Sequence, residues 1–154
     1  AGELMTKWVA PIFGVCIANV MFATPMRAVL HARKTGDLGD LNPIPWPAIT
    51  GNCAAWLGYS YFKRDWFVYL ANQPGFLMGL FYTFTAVGLS SSRTRDVMTA
   101  IILALGLALP SIAVVLNLPM RDYDEEKKAF VWGMVCNLIL VCYYSAPMST
   151  LWTV

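Results

Sequence analysis

Charge is what this sequence has least of. Lys and Arg number 11 and Asp and Glu 9 in 154 residues, or 13% of the chain, against about 25% in an ordinary soluble domain. There is a single His, and the four cysteines (Cys16, Cys53, Cys136, Cys142) form no CxxC pair. That spacing fits neither a zinc site nor a disulfide framework, so the thiols read as small hydrophobes. A net charge of +2, with no basic patch interleaved with aromatics, gives no case for nucleic acid as a partner.

The few charges are also confined. Residues 8–26, 41–62, 66–92, 97–120 and 129–154 contain no Asp, Glu, Lys or Arg. A bilayer core is crossed by a helix of about 20 apolar residues, and hydrophobic residues make up 58% of the chain. The sequence therefore predicts an all-α integral membrane protein with five transmembrane helices, spanning about 8–30, 45–62, 66–89, 97–120 and 129–154, with a lipid bilayer as its surroundings.

The most informative stretch is PIPWPAITGNCAAWLGY, residues 43–59. Pro43, Pro45 and Pro47 suit a helix entry and not a helix interior. Beyond them Asn52, Trp56 and Tyr59 fall on one stripe of an otherwise apolar helix. Lys63-Arg64-Asp65 is too short a turn for anything but an antiparallel neighbour. Trp56 lies seven residues before Lys63 and Asn72 seven after Asp65, which puts both roughly 10 Å below one membrane face. An aromatic plate and an amide at one depth suit a sugar, with its apolar C–H face and belt of hydroxyls. Cross-helix hydrogen bonding by Asn52 and Asn72 explains the same residues and stays open here.

Elsewhere Pro25 is expected to bend the first span, and HARKTGDLGDLN after it, with His31, to be a polar loop. Gly75 and Gly79, four apart beside Pro74, predict close helix packing. Ala100, Ala104 and Ala108 recur along the fourth span with no evident chemistry. Phe22, Ala23, Pro25 and Met26 align with Tyr144, Ser145, Pro147 and Met148, a hint of a parallel repeat whose second copy begins in span five. The chain starts at Ala1, so a removed or missing N-terminal segment is expected.

Taken together, the basic loop, PIPWP, Asn52-Cys53, Asn72-x-x-Gly75 and Ala146-Pro147-Met148 resemble the SWEET sugar-transporter family, of the MtN3/saliva and PQ-loop proteins. The resemblance implies a first triple-helix bundle at 1–90, its third helix between the first two, a linker helix at 97–120, and the first helix of a second, incomplete bundle at 129–154. It implies a facilitative sugar uniporter working by alternating access, not an enzyme and without a cofactor. Substrate contacts would come from Trp56, Asn72, Asn52 and Cys53, a gate from Tyr59, and hinges from Pro25, Pro45 and Pro147. The substrate would be a mono- or disaccharide. Family members have seven helices, so further helices, another chain, a homo-oligomer or a larger membrane complex would complete the fold. The other reading is a non-transporting, SWEET-derived structural subunit of such a complex. Lys and Arg are nearly tied between the two ends, so only the resemblance sets the N-terminus outside or lumenal, in a eukaryotic plasma or organellar membrane.

Overall fold

The computed structural model describes residues 2–148, and the side chains of residues 2–141. Every regular element among them is a helix: α1 (Gly2–Thr35), α2 (Pro45–Lys63), α3 (Trp66–Leu89), α4 (Ser92–Asn117) and α5 (Glu125–Met148). Among the described residues, α1 and α4 are long and apolar enough to cross a membrane by length and composition.

Local chemistry sets the ends. Gly36, at φ +75°, closes α1 in the left-handed conformation, its N–H on the Ala32 carbonyl at 2.9 Å. HARKT is thus the last turn of α1 and not loop, a correction to the expectation for His31. Ala, Arg and Lys are good helix formers, and the chain stops only where Gly admits positive φ. Pro45 opens α2 as its first residue. Arg64, at φ +53°, reverses the chain, and Asp65 caps α3 by accepting from Phe67 N at 2.9 Å and Val68 N at 3.1 Å. Asp124 does the same for α5 at Lys127 N, 2.7 Å. Such caps contribute about 1 kcal/mol each.

α3 packs against both α1 and α2, and α2 also packs against α5 and α4. Small residues permit the contacts. A Cβ built at Gly75 would lie 2.5 Å from the Phe22 ring of α1, and one at Gly79 would lie 2.6 Å from Thr50 Oγ1 of α2. At that second contact Thr50 bonds the Trp46 carbonyl at 2.9 Å and meets the Thr83 hydroxyl at 3.4 Å. On α2, Gly51 admits Leu105 of α4, and Gly58 admits Trp132 of α5. The Ala100, Ala104 and Ala108 stripe of α4 faces outward, exposed.

Prolines interrupt α1 and α3, and each helix mends the other. Pro74 has no N–H for the Leu70 carbonyl four residues back. The Asn19 amide of α1 donates to that carbonyl at 3.2 Å. At Pro25, α1 breaks after Ala23, and Thr24 N reaches only to the Met21 carbonyl at 3.2 Å. Beside the break the Phe22 carbonyl accepts the Tyr82 hydroxyl of α3 at 2.8 Å. Pro147 belongs to α5, but the side chains of 144–148, and with them the expected repeat, lie outside the described residues.

The α2–α5 seam is aromatic. Trp132 is buried, donates its indole N–H to the Ala55 carbonyl, and packs its ring 5.8 Å from Phe62. Ala55, Leu116, Ala129 and Cys136 complete this cluster, and a second one gathers Val29, Trp46, Tyr82, Ala86 and Met98.

Two stability outcomes follow, both measured by thermal unfolding of the purified chain. Asn19→Ala should cost about 1 kcal/mol, a fall of about 2–4 °C for a chain this size. In a Pro74→Ala background, where the substituted residue supplies its own N–H to Leu70, that cost should vanish. An equal loss in both backgrounds would show that Asn19 does not serve that carbonyl. Gly58→Ala should lower stability by about 1–3 kcal/mol because its methyl meets Trp132. Gly14→Ala, with nothing within 4 Å of the new methyl, should be neutral or stabilising.

Candidate functional site

α2 turns Trp56 and Tyr59 toward α5, on the stripe read from the sequence. The two rings meet edge to face with centroids 5.4 Å apart. Gly133 lies opposite, where a Cβ would stand 3.2 Å from Tyr59, so α5 comes as close to that ring as a bare backbone allows. Between them is an open cavity of about 310 Å3 whose far wall is Phe130, Met134 and Asn137. Lys63 and Glu126 stand at its mouth with 3.8 Å between Nζ and Oε1.

The polar content is small and directional. Asn137 donates to the Gly133 carbonyl one turn back at 2.8 Å, leaving its amide oxygen for another donor. An edge-to-face aromatic pair, one amide and a charged rim make a surface for a polar molecule with an apolar face. Such sites join aromatic walls to a few placed hydrogen-bonding groups.

The other expected site residues, Tyr59 apart, lie elsewhere. Asn72 is half-buried and bonds the Val68 carbonyl of its own helix at 2.9 Å. It is not among the residues lining the Trp56 cavity. Asn72, Gly75 and Gly79 follow a helical stripe, the stripe that meets Phe22 and Thr50, whereas Trp56 lines the gap to α5. Asn52 and Asn72 do not bond each other among the described residues; the Asn52 Oδ1 is buried without a partner. Cys53 is fully buried and packs as a small apolar group. Tyr59 stands in the cavity wall near the Lys63–Glu126 mouth. Pro25 marks the α1 break, beside a void of about 40 Å3 walled by Phe22, Trp46, Gly75 and Tyr82.

Sequence reasoning did not single out Phe130, Met134, Asn137 or the Lys63–Glu126 pair. Asn137 carried a usable signal: with Gly133 and Phe130 it puts a polar group, a small residue and an aromatic on one stripe of a charge-free stretch.

Comparison with known proteins bears on most of the chain. Residues 9–94 match the family described as sugar efflux transporter for intercellular exchange. The bidirectional sugar transporter SWEET7 of Arabidopsis thaliana is 27% identical over 96% of this chain and 58% of its own length. SWEET4 of Oryza sativa subsp. indica, also named a bidirectional sugar transporter, is 26% identical over 91% of this chain and 54% of its own. The sugar transporter SWEET1 of Drosophila pseudoobscura pseudoobscura is 27% identical over 81% and 53%. The chain spans a little over half the length of these relatives. The family match covers more than half of the chain, and by it the protein belongs to the SWEET (MtN3/saliva) family.

Proposed function

We propose that this chain forms the first bundle, linker and opening second-bundle helix of a facilitative sugar transporter, with all five helices crossing the membrane. The division at 1–90, 97–120 and 129–154 is part of this reading. The observation that carries it is the Trp56–Tyr59 pair walling a cavity opposite Asn137, in a member of a family whose relatives are named sugar transporters.

In this reading a sugar ring lies on Trp56 by its C–H face, and amides bond its hydroxyls. Asn137 supplies one such amide from α5. Asn52, whose buried oxygen lacks a partner, and Asn72 supply others when the helices shift. Cys53 sets the width of the wall without bonding the sugar. Pro25 is the hinge with room to move, given the void beside it, with Pro45 and Pro147 at the ends of α2 and α5. Tyr59 and the Lys63–Glu126 pair close one side. Alternating access needs two bundles rocking about a shared site, so further helices or another chain complete the pathway, in a eukaryotic plasma or organellar membrane.

The test is uptake of a labelled monosaccharide and a labelled disaccharide into vesicles. The vesicles hold the protein purified from its own membrane, with native termini and any partner that accompanies it. Saturable flux is expected. Asn72→Ala should reduce it about five- to 100-fold, as befits loss of a buried hydrogen-bond partner. Trp56→Ala should abolish most of it, while Trp66→Ala, at an exposed tryptophan, should leave it intact. Full flux from Trp56→Ala would refute the site. No flux from a chain held in a stable larger complex would instead favour a SWEET-derived structural subunit.

A further inference from the structure

The two ends of the helix stack differ in how their charges are used. All four ion pairs among the described residues (Lys7–Glu3, Lys63–Glu126, Lys127–Asp124, Lys128–Glu125) lie at the end formed by the α2–α3 turn and the α4–α5 loop. That end holds six basic and six acidic residues. The opposite end, where α1 and α3 finish, holds Arg27, Arg33, Lys34, Arg93 and Arg95 against Asp37, Asp40 and Asp96, so the chain's entire net charge of +2 resides there. None of those five cations forms an ion pair among the described residues.

Arg33 is the one built into a cavity. Its guanidinium stands 5.6 Å over the Phe81 ring, held at the rim of a groove of about 410 Å3 between the ends of α1 and α3. The groove floor is apolar: Phe84 is exposed, and Gly88 offers open space with nothing within 4 Å of where a Cβ would be. In its wall the Thr85 hydroxyl is buried and has no hydrogen-bond partner among the described residues. The groove runs along the last two turns of α3, Phe81 to Leu89, about 12 Å of rise, with Gly88 and Leu89 at its outer end and Arg33 over Phe81 at its inner end.

We propose that this groove binds an anionic phospholipid. The phosphate sits on Arg33 and takes a hydrogen bond from the Thr85 hydroxyl, turned outward; the headgroup glycerol lies over Gly88 at the outer end, and the first part of an acyl chain runs inward past the exposed Phe84 ring. A planar, always-charged guanidinium suits a phosphate. An end of the protein with unpaired cations suits an anionic leaflet, to which each Lys or Arg near the surface is attracted. The proposal rests on the membrane reading above.

The test uses the full chain in nanodiscs containing equal phosphatidylglycerol and phosphatidylcholine, with retained lipids counted by native mass spectrometry. The wild type should retain one phosphatidylglycerol in preference. Arg33→Gln should lower that preference about fivefold, the scale of one cation at a membrane surface. Gly88→Leu, which fills the groove without changing a charge, should lower it as far, and Thr85→Val should lower it less. Lys34→Gln, an equal charge change outside the groove, should keep it. Equal retention of both lipids, an undiminished preference in Gly88→Leu, or a loss in Lys34→Gln matching that in Arg33→Gln would overturn the proposal. A chain that does not enter nanodiscs at all would overturn the membrane reading itself, a result distinct from each of these.

Discussion

A proline inside a helix leaves a carbonyl that something else must satisfy, and in apolar surroundings an unsatisfied carbonyl costs several kcal/mol. Here Pro74 leaves the Leu70 carbonyl, and the break before Pro25 leaves that of Phe22, next to the Met21 carbonyl that Thr24 N takes; both are met across one seam in opposite directions. Asn19 of α1 answers Leu70 of α3, and Tyr82 of α3 answers Phe22 of α1. Each bond fixes the register of one helix against the other. With that register set, Phe22 falls on Gly75, and the next small residue of α3, Gly79, meets Thr50 of α2. The position of α2 thus follows from the α1–α3 seam.

α2 then serves three partners, because its residues are small where partners approach. Thr50 meets α3, Gly51 admits Leu105 of α4, and Gly58 admits Trp132 of α5. Trp132 combines ring packing on Phe62 with a hydrogen bond to the Ala55 carbonyl, an apolar body with a polar handle. Anchoring α5 there leaves the neighbouring stripe, Trp56 and Tyr59, at the edge of the seam, where a cavity remains. The packed seam and the candidate site are therefore adjacent strips of one helix.

The helix count, the reversals and the family are legible in the sequence, since charge-free stretches, Lys63-Arg64-Asp65 and the PIPWP entry with Asn52-Cys53 are local signals. The Trp56–Tyr59 stripe is legible for the same reason. The pairing of Trp56 with Asn72 rests on equal offsets to a shared turn, and an offset fixes depth but not azimuth. In the structure Asn72 lies on the stripe of Gly75 and Gly79, away from the cavity that Trp56 lines. The His31 segment reads as loop for its polarity, yet polar residues continue a helix readily until a Gly admits positive φ. Pro74 stands out as unusual, but its partner Asn19 is on another helix far back in the chain, and nothing local announces it. The uneven use of charge at the two ends is likewise hidden, because counts of Lys and Arg nearly tie while the pattern of ion pairing does not.

The α1–α3 exchange can be observed directly by solid-state NMR on the chain in lipid bilayers, with 15N in the asparagine side chains and 13C in the leucine carbonyls. A through-space cross-peak between the Asn19 amide nitrogen and the Leu70 carbonyl carbon is expected, given 3.2 Å between the nitrogen and the carbonyl oxygen. No such cross-peak, in a sample whose other leucine carbonyls are resolved, would contradict the mutual repair on which the arrangement of the helices rests.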